Sequence, residues 1–324
     1  QPYSYYTKNL TDAGDVISLE QAWASQNAAL LAGGAEAEKE AADIRENGAY
    51  PSQGVDILLD MYTNKISAAE GRQKLNELAG KGYQYYDQAK KYTKRNPFYQ
   101  QYNLRLAKTT DRNSVNFSTS YWKNNYEDVN SSDWKLGLNL TNSLKVTKWL
   151  QADLGVYLKY GETDSQSYNI YSPGYSYLPY DALVNADGSY TVAAPQTKQD
   201  RRDLITKYGL MEESIVSMNE LNYGLGKTKT LETRANARLK IDFTPWLNYN
   251  VMFQYETTND KLELLREQES NYMTTLINNF TTEETTYYGP TLTYNLPKGD
   301  ALYLRTNEKR AYNFRQQINL NKTF

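Results

Sequence analysis

Between residues 100 and 320 the chain repeatedly alternates apolar and polar positions with period two. The cleanest stretch reads Trp134-Lys-Leu136-Gly-Leu138-Asn-Leu140 and resumes after a brief turn as Leu150-Gln-Ala152-Asp-Leu154-Gly-Val156-Tyr-Leu158-Lys-Tyr160. Successive side chains of a β-strand point to opposite faces, so such a ribbon has one greasy face and one wet face. The pattern predicts seven strands: Tyr102 to Thr109, Ser114 to Trp122, Trp134 to Leu144, Leu150 to Tyr160, Leu231 to Phe243, Leu247 to Tyr255 and Tyr312 to Leu320. In the fifth, Leu231, Thr233, Ala235, Ala237, Leu239, Ile241 and Phe243 share one face. Glu232, Arg234, Asn236, Arg238, Lys240 and Asp242 share the other.

The connections alternate in length. Thr110–Asn113, Val146–Lys148 and Thr244-Pro245 are short, whereas 123–133, 161–230 and 257–311 are long. Short turns at one end and long loops at the other are the signature of an outer-membrane barrel. Strand length agrees: ten steps of about 3.4 Å, tilted about 40°, cover about 25 Å, the height of the apolar band on such barrels. The predicted fold is therefore all-β, a partial antiparallel transmembrane β-barrel wall of about seven strands over 98–324. Its lipid-facing residues are read as Leu136, Leu138, Leu140, Leu154, Val156, Leu158, Leu239, Ile241, Val251 and Phe253. Trp134, Trp149 and Trp246 are read as an interface girdle. Only Trp134 is in phase with the greasy face of its strand, so for Trp149 and Trp246 packing beneath a turn is an equal alternative.

Residues 1–97 lack this alternation. Ser18 to Asn47 is rich in Ala and Glu and reads as a helix broken at Gly33-Gly34. Ser67-Ala-Ala-Glu70 is a capping box opening a helix that ends near Gly80-Lys-Gly82. A further short helix is expected over Tyr83 to Arg95, stopped by Asn96-Pro97. If the first strand runs toward a short periplasmic turn, this helical segment is extracellular.

Composition narrows the function. No apolar run approaches the roughly 20 residues of a membrane-spanning helix. The mean hydropathy of -0.78 does not oppose a barrel, in which only alternate residues meet lipid. Net charge is -2 with no basic stripe, which gives nucleic acid no footing. The absence of Cys and His removes thiol chemistry, disulfides and the commonest general base and metal ligand. No metal, cofactor or enzymatic activity is expected. Tyrosine is abundant at 31 residues, and its apolar ring with a polar tip suits membrane boundaries and wet binding surfaces. With Gln1 first and Phe324 just past an alternating run, the chain reads as an internal piece of a longer protein.

The remaining motifs are weak. Gly226-Lys227-Thr228 imitates the end of a phosphate loop, but Leu221 stands where the motif needs glycine, and a strand follows. Glu212-Glu213 and Glu283-Glu284 lie in polar loops and read as solvated surface. Asp187-Gly188 reads as a hairpin turn. The most suggestive stretch is Tyr168-Asn-Ile-Tyr171-Ser-Pro-Gly-Tyr175-Ser-Tyr177-Leu-Pro-Tyr180 in a long loop. It offers Tyr171, Tyr175, Tyr177 and Tyr180 to a substrate or partner, or else packs its own rings away. Arg234 and Arg238, on the wet face of the fifth strand, are candidate contacts for a solute or a plug.

Asn96-Pro-Phe98-Tyr-Gln100-Gln-Tyr102-Asn103-Leu104, followed by Ser114-Val-Asn-Phe-Ser-Thr-Ser-Tyr121, resembles the start of the barrel in SusC/RagA-type TonB-dependent transporters. Pro179-Tyr180-Asp-Ala-Leu-Val184-Asn-Ala-Asp187-Gly-Ser is similar to a second phrase of that family. Tyr102 replaces the family's usual His, and the first turn lacks its paired glycines. The resemblance implies an outer-membrane barrel of about 22 strands with a plugged lumen, energised by the TonB complex through parts outside this chain. It also implies a SusD-like lipoprotein lid and uptake of an oligosaccharide or peptide ligand. Two alternatives remain at this level: a surface β-rich carbohydrate-binding or adhesin module, and a passive porin-like channel.

Overall fold

The computed structural model describes residues 10–47, 51–171, 177–192, 203, 205, 207–287 and 289–321. The chain is mostly β and divides into two compact units, each discontinuous in sequence.

The first unit is a seven-stranded antiparallel sheet with order β1-β2-β3-β4-β5-β6-β9. Its strands are β1 (Phe98–Thr109), β2 (Asn113–Asn125), β3 (Ser132–Lys145), β4 (Leu150–Gln166), β5 (Leu225–Thr244), β6 (Leu247–Arg266) and β9 (Ala301–Leu320). All seven predicted strands are present, and their ends at the short turns fall within a residue of the prediction. At the opposite end β4, β5, β6 and β9 run on by 6 to 11 residues. The connections thereby shorten to 167–224 and 267–300, against the 161–230 and 257–311 expected. Several of the added segments, such as Gly161-Glu-Thr-Asp-Ser-Gln166 of β4 and Thr257-Thr-Asn-Asp-Lys261 of β6, are polar on both faces and carry no period-two signal, yet the ladders of β4 with β5 and of β5 with β6 pair in unbroken register there. The first turn closes through Thr110 N–H to the Asn113 carbonyl at 2.7 Å, and the second through Thr147 N–H to the Leu150 carbonyl at 3.2 Å.

The second unit gathers residues 1–94 with the connections 168–224 and 266–301. Among the described residues six helices come first: α1 (Ala13–Ala24), α2 (Ala28–Ala32), α3 (Gly34–Asn47), α4 (Gln53–Tyr62), α5 (Ala68–Ala79) and α6 (Gln84–Thr93). The expected break at Gly33-Gly34 is present, with φ of +71° and +57°, values glycine adopts without steric cost. A second break, which the sequence reading omitted, comes where Asn27 accepts from the N–H groups of Ala29 and Leu30 and caps α2. Ser67 Oγ accepts from Glu70 N–H at 3.1 Å and opens α5 as predicted, while the Glu70 carboxylate pairs with Lys74 at 2.8 Å. Helix α4 was not anticipated, although Ser52 caps it through Val55 N–H at 3.1 Å. Further along are α7 (Ser217–Glu220), α8 (Asn271–Asn279) and a separate hairpin, β7 (Thr281–Thr286) with β8 (Gly289–Tyr294).

Two apolar clusters hold this unit. Ile17, Leu30, Leu58, Leu59, Leu75, Leu78 and Tyr180 form one. Tyr85, Ala89, Ile170, Leu183, Met218 and Leu221 form the other. No described helix is long and apolar enough to cross a membrane.

Candidate functional site

In antiparallel pairing, directly opposed residues share a face, so register decides what the sheet presents. Across β2, β3 and β4, Phe117 opposes Leu140 and Leu140 opposes Val156. Leu138 opposes Leu158, and Leu136 opposes Tyr160. Continuing outward, Val156 opposes Ala235, Leu239 opposes both Ala152 and Val251, and Ala237 opposes both Leu154 and Phe253. Leu104 and Leu106 of β1 face Thr119 and Phe117 on the same side. The register thus sets Leu136, Leu138, Leu140, Leu154, Val156, Leu158, Leu239, Ile241, Val251 and Phe253 on a single face. Much of this face is open: Leu140 is 44% exposed, Leu154 55% and Phe253 46%, while Leu138, Ile241 and Val251 are partly buried. The apolar face is continuous from β1 to β6, and contiguous apolar patches larger than a few hundred Å² are rare on soluble monomers.

At the long-loop end this face is bounded by a row of rings across four strands. Tyr102 lies 6.4 Å from Tyr121, Tyr121 6.4 Å from Trp134, and Trp134 5.4 Å from Tyr160, centroid to centroid. Charges follow beyond the row, where Glu162 opposes both Trp134 and Lys229. Trp149 and Trp246 lie at the other end, in the short turns. The Trp149 carbonyl accepts from Asp242 N–H at 2.9 Å, and the Trp246 carbonyl accepts from Asn321 N–H at 2.8 Å. Trp149 is 54% exposed and Trp246 37%.

The opposite face is polar, and its charges pair across strands. Arg238 meets Asp153 at 2.7 Å, Lys159 meets Glu232 at 2.7 Å, and Arg234 pairs with Glu256. Each pair consists of directly opposed residues. These are partly exposed bridges, worth at most about 1 kcal/mol each. Their effect is to leave this face wet yet nearly neutral. Arg234 and Arg238 are thus both on the face expected, and both already hold carboxylates.

Three glycines of the wet phase are buried beneath neighbouring side chains. A Cβ on Gly137 would meet Ser120 Oγ at 2.8 Å and the Trp122 ring at 3.4 Å. On Gly155 it would meet the Asn236 amide at 2.6 Å, and on Gly161 the Lys135 stem at 2.9 Å. Two open concavities lie on this side of the sheet among the described residues. One is lined by Ser118, Ser120, Asn139, Tyr157, Arg234 and Asn236, the other by Tyr99, Trp122, Asn124, Asp133, Lys135 and Tyr157. The sequence reading missed Trp122 and Tyr157; glycines recurring on the polar phase were the available signal.

The tyrosine-rich loop belongs to the helical unit. Tyr180 is fully buried, and its hydroxyl donates to Glu20 Oε1 at 2.8 Å. Tyr177 stacks on Tyr85 at 4.0 Å, and its hydroxyl donates to the Tyr171 carbonyl at 3.0 Å. Tyr171 packs partly buried on the second cluster, and Tyr175 lies outside the described residues. The ring of Tyr180 is therefore a core element and offers no surface to a ligand. Asp187-Gly188 forms a tight turn as predicted, with Gly188 at φ +86° and a single bridge from Val184 to Tyr190. The solvated reading of Glu213 is corrected: it is buried, and its carboxylate accepts from the Asn278 amide at 2.9 Å. Among the described residues no acidic group gathers three possible metal ligands.

No family model matches the chain, and no curated protein matches it. Among solved structures, the RagAB peptide importer in its closed-closed state is similar, at 11% identity and a TM-score of 0.45. The alignment covers 57% of this chain and 20% of that one.

Proposed function

We propose that the chain is part of the wall of an outer-membrane β-barrel belonging to a TonB-dependent importer of the SusC/RagA type. In this reading it acts in nutrient uptake, without catalysis of its own. A SusD-like lipoprotein closes over the long-loop end, and the TonB complex acts through parts of the protein outside this chain. The observation that carries the reading is the division of one seven-stranded sheet into an exposed apolar face and an ion-paired polar face. Hydrocarbon stabilises the first, and water the second. The aromatic row and the turn indoles stand about ten strand steps apart, about 25 Å of height at a barrel tilt, which matches the apolar thickness of a bilayer. The edge strands β1 and β9 would then pair with further wall strands, since an open edge is not tolerated within hydrocarbon.

The test is partitioning. The purified chain should require detergent or lipid to stay dispersed, and brominated acyl chains should quench its tryptophan fluorescence. A monodisperse chain in plain buffer that ignores such lipids would instead describe a surface binding module.

A further inference from the structure

Just beyond the aromatic row, the face that carries the apolar residues turns charged, and uptake through the lumen gives those charges no role. Along β4 the same-face series runs Val156, Leu158, Tyr160, Glu162, Asp164. Along β5, in the same direction, it runs Thr233, Leu231, Lys229, Lys227. Strand β6 adds Lys261 and Glu263. Register sets the six charges in two adjoining rows. Glu162 opposes Lys229, which opposes Lys261; Asp164 opposes Lys227, which opposes Glu263. Like charges directly opposed, as Lys229 and Lys261 are, repel one another. Lys261 has a close partner in Glu263 at 2.7 Å. By contrast, Lys227 lies 3.6 Å from Asp164 and 3.9 Å from Glu162, and Lys229 lies 3.9 Å from Glu263. Those separations exceed a hydrogen bond, so both partly exposed ammonium groups keep donors to offer.

We propose that this patch docks a lipid headgroup carrying both a phosphate and a primary ammonium, the phosphoethanolamine type. The inference rests on the wall reading and names the lipid met at its long-loop rim. Three observations select the headgroup. The first is depth. Glu162 and Asp164 follow Tyr160 on the same face of β4, about 5 and 10 Å higher at a barrel tilt. The headgroup layer starts at the aromatic rim and is about 5–8 Å deep on each side of a bilayer. The second is charge. Lys227, Lys229 and Lys261 stand beside Glu162, Asp164 and Glu263, so the patch is neutral and suits a zwitterion better than a headgroup of net charge. Phosphate oxygens accept from Lys227 and Lys229, and the ammonium donates to Asp164 and Glu162. A choline headgroup has no N–H and meets only the first half of that requirement. The third is continuity. Leu158 and Leu231 lie on the same face just inside the charges, so the acyl chains of a docked lipid run on down the apolar surface.

The experiment uses the whole chain in dodecyl maltoside micelles and counts bound lipid by native mass spectrometry. The probes are dioleoylphosphatidylethanolamine, the matching phosphatidylcholine and phosphatidylglycerol, and free phosphoethanolamine. The ethanolamine lipid should bind saturably, about fivefold or more tighter than the other two lipids. Lys227→Gln with Lys229→Gln should weaken it about tenfold or more, whereas Lys227→Arg with Lys229→Arg should retain it. Glu162→Gln with Asp164→Asn should erase the preference for ethanolamine while leaving the choline lipid's weaker binding unchanged, a readout that a misfolded chain would not give. Lys240→Gln, on the polar face, should alter nothing. The proposal is overturned if the choline or glycerol lipid binds as tightly as the ethanolamine lipid, or if free phosphoethanolamine binds as tightly as the lipid-borne form. It is equally overturned if either the glutamine pair or the carboxylate pair leaves the preference intact, or if the arginine pair abolishes binding. Each of those outcomes leaves detergent dependence and quenching by brominated choline lipid, and so the wall reading, standing.

Discussion

The Tyr180 hydroxyl donates to Glu20 Oε1 over a separation of 160 residues, and Ser52 Oγ donates to the same oxygen at 2.5 Å. One carboxyl thereby ties α1, the start of α4 and the 167–224 connection together. Removing the ring should cost more than removing the hydroxyl. Tyr180→Ala is expected to lose about 3–5 kcal/mol of stability, as large buried side chains do. Tyr180→Phe should lose about 1–2 kcal/mol, since Ser52 still serves Glu20. Urea unfolding followed by helical circular dichroism reads both. Equal losses would remove the ring from the core.

The helical unit should be most stable in mild acid. Burial holds the Glu20 carboxyl above its ordinary range, against the lowering effect of the Ser52 and Tyr180 hydroxyls and with help from nearby Asp181. Burial likewise raises Asp181, beside Lys81, and Glu220, beside Glu267. The folded state therefore binds these protons more tightly than the unfolded chain. The stability they contribute is complete below the unfolded values, about 4 for carboxylates, and is lost as pH rises through the folded ones. The urea midpoint should fall from mild acid toward neutral pH, and Glu20→Gln should flatten that slope. A midpoint that rises over the same interval would reverse the assignment.

Two glycines of this unit should tolerate alanine differently. A Cβ on Gly54 would lie 1.8 Å from Glu20 Oε2, on a carboxyl already fixed by two hydrogen bonds. On Gly71 it would meet the Met61 side chain at 2.2 Å, a flexible thioether that can turn aside. Gly54→Ala should cost about 1–3 kcal/mol through overpacking. Gly71→Ala, which gains about 1 kcal/mol of helix propensity, should be close to neutral. Thermal melts of the two variants side by side decide the ordering.

The two faces of β3 should respond oppositely to charge. Leu138 lies mid-band between Thr119 and Leu158, and Asn139 lies between Ser118 and Tyr157 on the polar side. Leu138→Arg is expected to lower the folding free energy in lipid vesicles by about 2–4 kcal/mol, the cost of arginine at the midplane. Asn139→Arg should change it little. Comparable losses at both positions would mean that the two faces meet the same environment.

What the sequence determined by itself is whatever is encoded locally. Alternation set the existence and phase of all seven sheet strands, because neighbouring residues of a strand must face opposite ways. Turn residues such as Thr110 to Asn113 fixed one end of each hairpin, and Ser67 and Gly33-Gly34 punctuated the helices. Tertiary structure decided the rest. The upper part of β4 and the Thr257–Lys261 stretch of β6 are held by backbone ladders in segments wet on both sides, where composition is silent. Tyr180 is buried against Glu20 and Tyr177 stacks on Tyr85, partners that lie about 90 residues or more earlier, a distance no local pattern spans. Trp122 found its neighbour Gly137 only through register, when β2 and β3 pair.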